Sequence, residues 1–293
     1  MSPAPGALLR ALPILRCPQC GTGLRPVDAG VVCAAGHSFD RARQGHLTLF
    51  GGRGRRFPGD SPDQVAARER VLRSGLFDPV ATALADLARS VLAGVAGPVI
   101  LDVGAGTGFY LGRVLEATRP VVAAPRPLGI GTELSVSAAR RLARVDPDVA
   151  ALVADTWHGL PVADRSVDLL QVAFAPRNTT EFARVLRPGG RLVVAGPGPG
   201  HLEPLRTRAS MVGQPADRGE RLDEELADGF DPGPVRTVDT SLEVPGTRAV
   251  DLALMGPSGA HLDRARLETD LAAGTHPVRI HVEVRTYRAR PTG

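Results

Sequence analysis

Four side chains near the start of the chain have the types and spacing of a metal site. Cys17 and Cys20 are separated by two residues, Cys33 follows after twelve more and His37 after another three, giving C-x2-C-x12-C-x3-H. No other cysteine occurs in the 293 residues. Gly21 permits the turn of a first ligand knuckle, and Ala34-Ala35-Gly36 fill a second. Three thiolates and an imidazole close a tetrahedral structural zinc site and leave no coordination position open for catalysis. A redox C-x-x-C would need a thioredoxin-like βαβ setting, which this stretch lacks. Metal binding, worth roughly 10 kcal/mol or more in finger peptides, can fold a segment too small to fold alone. Val27, Val31, Val32, Phe39, Leu47 and Leu49 supply the apolar residues of a small ribbon around the metal.

The second constellation runs from Val99 to Leu111 and reads V-I-L-D-V-G-A-G-T-G-F-Y-L. Val99, Ile100, Leu101 and Val103 form the continuous apolar run of a parallel strand buried on both faces. Gly104, Gly106 and Gly108 then let the backbone turn sharply and approach a ligand, and Phe109-Tyr110-Leu111 can open a helix. A dinucleotide fingerprint needs its third glycine at the sixth position, where this chain has Phe109. With Asp102 two residues ahead, D-x-G-x-G-x-G resembles motif I of the class I S-adenosylmethionine-dependent methyltransferases. That ligand has a sulfonium and no pyrophosphate, so a phosphate-binding glycine at the helix N-terminus is not required.

The surrounding sequence supplies the elements that must hold this turn. Ser61-Pro62-Asp63-Gln64 reads as a capping box opening a helix that Gly75 ends. A second helix starts at Asp78-Pro79, with Val80, Leu84, Leu87 and Val91 on its buried face. After the glycine turn, strands are expected over Leu128–Thr132, Val149–Ala154, Val167–Phe174 and Arg191–Ala195. Val235–Val244 and Arg279–Tyr287 complete a seven-stranded, mostly parallel α/β sheet with a final antiparallel hairpin. A helix capped by Ser135 follows the second strand. Glu133 ends that strand, where a carboxylate can accept from both ribose hydroxyls, although Val121–Pro127 lengthens its separation from the glycines beyond the usual ~20 residues. Loops at the carboxyl ends of strands face the ligand crevice, so Phe174, Ala175, Pro176 and Asn178, and His201 in Gly196–Leu202, form the candidate methyl-transfer pocket. His158, Asp168, Glu181 and His201 are candidates for a base. Gln214–Pro234, polar and rich in Asp, Glu and Gly, is expected to be a mobile surface segment.

Formal net charge is +4, hydrophobic residues make up 43%, and every basic side chain other than histidine is arginine. No apolar run approaches the ~20 residues that cross a bilayer, so no membrane partner and a cytoplasmic location are expected. Arg53, Arg55 and Arg56 flank Phe57 in the glycine-rich stretch G-G-R-G-R-R-F-P-G-D, which suits an RNA backbone and an unstacked base as well as a solvated linker. Three regions follow: residues 1–50 as a zinc-binding module, 51–97 as basic linker and leading helices, and 98–293 as the methyltransferase domain.

The zinc motif, P-G-D-S at Pro58–Ser61, the glycine turn, Ala175-Pro176 and P-G-P-G-H-L at Pro197–Leu202 occur in one order. In that order the chain resembles the 23S rRNA guanine-N1 methyltransferases, and most closely the branch conferring resistance to tylosin-type macrolides in antibiotic-producing actinomycetes. It departs from the pattern at the insertion before Glu133 and at Arg177-Asn178. The resemblance implies a Rossmann-like methyltransferase fold with an N-terminal zinc ribbon, and methylation of one guanine at N1 in a hairpin loop of 23S rRNA. It further implies S-adenosylmethionine held by Asp102, Gly104, Gly106, Gly108, Tyr110, Glu133 and Asp155, the last facing the adenine amino group. The resemblance implies, too, that zinc is held by Cys17, Cys20, Cys33 and His37, that the zinc module helps recognise the 23S rRNA hairpin that is the partner, and that the chain pairs as a homodimer. Two competing readings are a small-molecule methyltransferase of antibiotic biosynthesis, which needs neither knuckle nor arginine linker, and a non-catalytic zinc-containing RNA-binding protein.

Overall fold

A computed structural model describes residues 6–50, 59–211, 213, 218–271 and 273–290. Arg53, Arg55 and Arg56 lie outside the described residues. The chain opens with a short helix, α1 (Gly6–Ala11), followed by β1 (Leu24–Val27), β2 (Gly30–Cys33) and β3 (Ser38–Asp40), which pair antiparallel as a three-stranded ribbon. Next come β4 (Leu47–Thr48), α2 (Pro62–Arg73), α3 (Asp78–Leu92), β5 (Val99–Val103), α4 (Phe109–Thr118), β6 (Leu128–Glu133), α5 (Val136–Leu142), β7 (Val149–Val153), β8 (Val167–Ala173), α6 (Thr179–Val185) and β9 (Leu186–Pro197). The remainder is α7 (Leu205–Arg208), α8 (Arg218–Leu226), β10 (Phe230–Pro245), α9 (Gly246–Leu254), α10 (Arg264–Leu271) and β11 (Thr275–Ala289).

The main sheet has the order β10-β11-β9-β8-β5-β6-β7-β4. Strands β4 to β9 run parallel, and β11 is antiparallel to both β9 and β10. Strand order reverses beside β5, so the crevice at the carboxyl ends of β5 and β8 is the natural ligand position. Every residue of β5 is buried, as expected of a strand covered on both faces.

The sheet has eight strands, one more than expected. Leu47 and Leu49 do not line a self-contained ribbon: β4 joins the edge of β7, Leu49 N–H donates to the Val153 carbonyl, and both leucines are buried in the main core. Val27, also assigned to the ribbon core, is exposed. The segment expected to be mobile is partly regular. Residues 218–226 are helical because Leu222 and Leu226, one turn apart, are buried together with Phe230, and β10 begins at that phenylalanine. The capping box of α2 forms as spelled: Ser61 Oγ accepts from Gln64 N–H, and Gln64 Oε1 accepts from Ser61 N–H. Among the described residues no helix is long and apolar enough to cross a membrane.

Candidate metal centre and methyl-transfer site

Cys17, Cys20, Cys33 and His37 converge at the open end of the ribbon, their donor atoms all within 4.8 Å of one another. Cys20 Sγ lies 3.6 Å from Cys33 Sγ, and His37 Nδ1 lies 3.4 Å from Cys33 Sγ and 3.6 Å from Cys17 Sγ. A tetrahedron with Zn–S of about 2.3 Å and Zn–N of about 2.0 Å has edges of about 3.5–3.8 Å, so the donor set fits zinc without rearrangement. Gly21 and Gly36 turn the two knuckles with positive φ. The ribbon is fastened to the main body by Arg16 N–H donating to the Pro161 carbonyl and Ala163 N–H donating to the Ile14 carbonyl. A cavity of about 590 Å³ opens between the first knuckle and the loops after β7 and β8, lined by Pro18, Gln19, Phe50, Asp155, His158 and Glu181 among others.

The glycine turn presents two buried acids. Asp102 ends the apolar run of β5 at 1% exposure, and its Oδ1 has no hydrogen-bond partner among the described residues. Burial pushes its carboxyl up to about 7. Glu133 accepts at 2.8 Å from Gly106 N–H on one oxygen and from Leu134 and Ser135 N–H on the other. Burial likewise raises its pKa, against the pull of those N–H groups. Glu133 reaches the turn despite the insertion at Val121–Pro127, because that loop lies ahead of β6, at the end away from the crevice. Glycine is required at Gly104, where φ is +71° and a Cβ would stand 2.3 Å from the Ala175 methyl. At Gly108, φ is +85° and a Cβ would strike Leu142 and Val145. A buried carboxylate oxygen without a partner is costly unless a ligand completes it; the ammonium of the methionyl moiety would answer Asp102 Oδ1, and ribose hydroxyls could add to the N–H groups already on Glu133. S-Adenosylmethionine therefore fits the residues present.

Asp155 caps the turn after β7, accepting from Trp157 N–H at 3.1 Å, with its other oxygen 3.0 Å from His158 Nδ1. Tyr110 is buried at the start of α4. Beside the turn, Phe174 sits at φ +56° and is 40% exposed. That ring stacks on His201 (27°, centroids 6.0 Å), meets Phe77 edge-on at 5.8 Å and lies 6.2 Å from Tyr110. A bulky residue in the left-handed region is strained, and such strain concentrates at functional positions. Ala175 packs on Gly104, and Pro176 is exposed beside it. Asn178 turns away from the pocket: it caps α6 through Glu181 N–H and donates to the Thr156 carbonyl, joining the loops after β7 and β8.

The base candidates separate by position. Asp168 begins β8 at the end opposite the crevice, accepting from Val99 N–H and paired with Arg187 at 2.5 Å. Glu181 accepts from Leu160 N–H and pairs with Arg184, which lowers its pKa against the effect of its burial. His201 is 4% exposed, and desolvation holds its pKa down at about 4. Its Nδ1 accepts from His281 N–H at 3.2 Å, which places the ring proton on Nε2. Sequence reasoning missed Arg68, on α2, and Phe77, in the turn that joins α2 to α3; both enter the site from ahead of the glycine turn. A helix in front of the first strand is the signal that could have directed attention to them.

Comparison with known proteins bears on both halves of the chain. The family model for the RlmA N-terminal zinc ribbon matches residues 15–51. A Micromonospora griseorubida protein provisionally named as a 23S rRNA (guanine-N1) methyltransferase is 40% identical over 296 residues, 96% of this chain and 98% of that one. The 23S rRNA (guanine(748)-N1)-methyltransferase of Streptomyces fradiae is 36% identical over 279 residues, covering 94% and 97%. Among solved structures, the YcgJ protein of Bacillus subtilis shares the fold with a TM-score of 0.50 at 16% identity, covering 72% of this chain and all of that one.

Proposed function

The chain belongs to the 23S rRNA (guanine-N1) methyltransferases, and from that premise we propose that it methylates N1 of a guanine in a hairpin loop of 23S rRNA. The observation that carries the reading is the joining of zinc ribbon and glycine turn in one chain, matched along nearly their whole length by the two relatives. A small-molecule methyltransferase would need only the turn. The same resemblance extends the proposal to tylosin-type macrolide resistance and to action as a homodimer.

S-Adenosylmethionine supplies an electrophilic methyl on a sulfonium, so the protein's task is to place N1 in line with it and to exclude water. Asp102 and Glu133 would hold the methionyl and ribose ends, and Asp155 would face the adenine. A guanine must leave its stack to enter the crevice, which costs least in a loop. The exposed face of Phe174 offers a platform for the extruded base, with the His201 ring stacked behind it.

Incubation of the protein and cofactor with a 23S rRNA transcript is expected to create a new reverse-transcriptase stop next to a single guanine, because N1 methylation blocks pairing. Absence of any stop from protein that binds the cofactor would overturn the reading. Phe174→Ala is expected to lower kcat/KM for RNA about 10- to 100-fold, in line with ~1–3 kcal/mol for base stacking. Affinity for S-adenosylhomocysteine should stay within about twofold. Unchanged kcat/KM would remove Phe174 from base binding.

A further inference from the structure

The described part of the P-G-D-S motif, Gly59-Asp60-Ser61, lies against the cofactor turn. A Cβ on Gly59 would come within 2.7 Å of the Ser135 nitrogen and 2.9 Å of the Leu134 carbonyl carbon, so only glycine passes this close to the end of β6. Ser135 Oγ donates to the Asp60 carbonyl at 2.7 Å, and Ser61 caps α2. Two turns into that helix, Arg68 reaches back. Its Nη1 lies 2.5 Å from Asp60 Oδ2, and its Nη2 donates to the Met255 carbonyl at 2.7 Å. Held between these two groups, Nη1 stands 3.7 Å from the position a Cβ on Gly106 would take. Gly106 N–H in turn donates to Glu133. Segments distant in sequence thus bring one guanidinium over the middle glycine of the turn.

We infer that Arg68 binds the carboxylate at the amino-acid end of S-adenosylmethionine, with Asp60 and the Met255 carbonyl as the groups that position it. The inference rests on S-adenosylmethionine being the cofactor. That molecule has one anionic group, and the two acids of the turn, Asp102 and Glu133, repel it. A cation must answer it, and an arginine fork matches carboxylate geometry with paired N–H donors. Of the five N–H groups on Arg68, Asp60 and Met255 engage two among the described residues, which leaves donors for a ligand. The anchoring also fixes the fork before the ligand arrives, so little side-chain entropy is lost on binding.

The test compares two ligands by calorimetry on the full-length, zinc-loaded protein: S-adenosylhomocysteine, which keeps the amino-acid end, and 5′-methylthioadenosine, which lacks it. Arg68→Ala is expected to weaken S-adenosylhomocysteine about 10- to 100-fold, the range of a charge-assisted hydrogen bond, and to change 5′-methylthioadenosine less than about twofold. Arg68→Lys, which keeps the charge and loses the fork, should fall between. Asp60→Asn should weaken S-adenosylhomocysteine selectively and by less. Equal losses for both ligands, or no loss for either, would overturn the inference, and if the alanine variant does not fold, the same comparison on the lysine variant decides. Wild-type protein binding neither nucleoside would instead sink the cofactor reading.

Discussion

Asp102→Asn is expected to make the ligand-free protein more stable at pH 8 while weakening S-adenosylhomocysteine at least tenfold. The carboxyl of Asp102 is wholly buried, and its value rises from 3.8 to about 7 in the fold. The folded state therefore holds the proton more tightly than the unfolded chain. Stability from this group is fully present below about pH 4, declines as the pH rises toward 7 and is lost above it. That rise in pKa corresponds to about 4 kcal/mol. Asparagine has the same shape and no charge to bury, so urea unfolding at pH 5 and pH 8 should show wild type losing a few kcal/mol more than the variant over that interval. Binding is expected to move the other way, because in the proposed role the unpaired Oδ1 would answer the ligand's ammonium. A variant with the same pH dependence as wild type and undiminished affinity would show that Asp102 is a packing residue. The expected result, by contrast, makes the site one that trades stability for a ready-made counter-charge.

Removing zinc is expected to damage the whole chain, not the ribbon alone. Leu8, Leu15, Cys17, Val31 and Phe39 belong to the same buried cluster as Val99, Leu101 and Ile130 of the central strands. β4 completes the sheet edge, and Arg10 pairs with Asp148 at 2.9 Å across the junction. Loss of the metal leaves three thiolates and an imidazole with nothing to hold β1 to β3 closed. Unfolding then exposes the edge of β7 and releases the loop that carries Asp155. Cys17→Ser or a strong chelator should lower the melting temperature by about 10 °C, at about 2–4 °C per kcal/mol for a chain of this size. Affinity for S-adenosylhomocysteine should fall with it. A metal-free protein with unchanged melting and cofactor binding would confine the zinc to the ribbon.

Much of the fold was legible because the relevant forces are local. Val99–Val103 is a buried strand by composition alone, and the α2 capping box forms as its four residues spell it. Where the reading failed, packing over long distances was decisive. Leu47 and Leu49 look like ribbon residues until the edge of β7 is available to them. Leu222, Leu226 and Phe230 gain their helix and strand from a core that a polar local composition conceals. Asp168 is an acid near a ligand strand in sequence, yet it stands at the wrong end of β8.

The zinc ligands and the glycine turn were determined by sequence alone, since both are set by spacing over a few residues: a knuckle needs its glycine, and a tight turn its positive φ. Three things awaited the tertiary structure: the burial that neutralises His201, the unpaired oxygen of Asp102, and the clamp that carries Arg68 from α2 to Gly106. Charge state and reach depend on which distant groups exclude water or supply a partner, and only the packed chain brings those groups together.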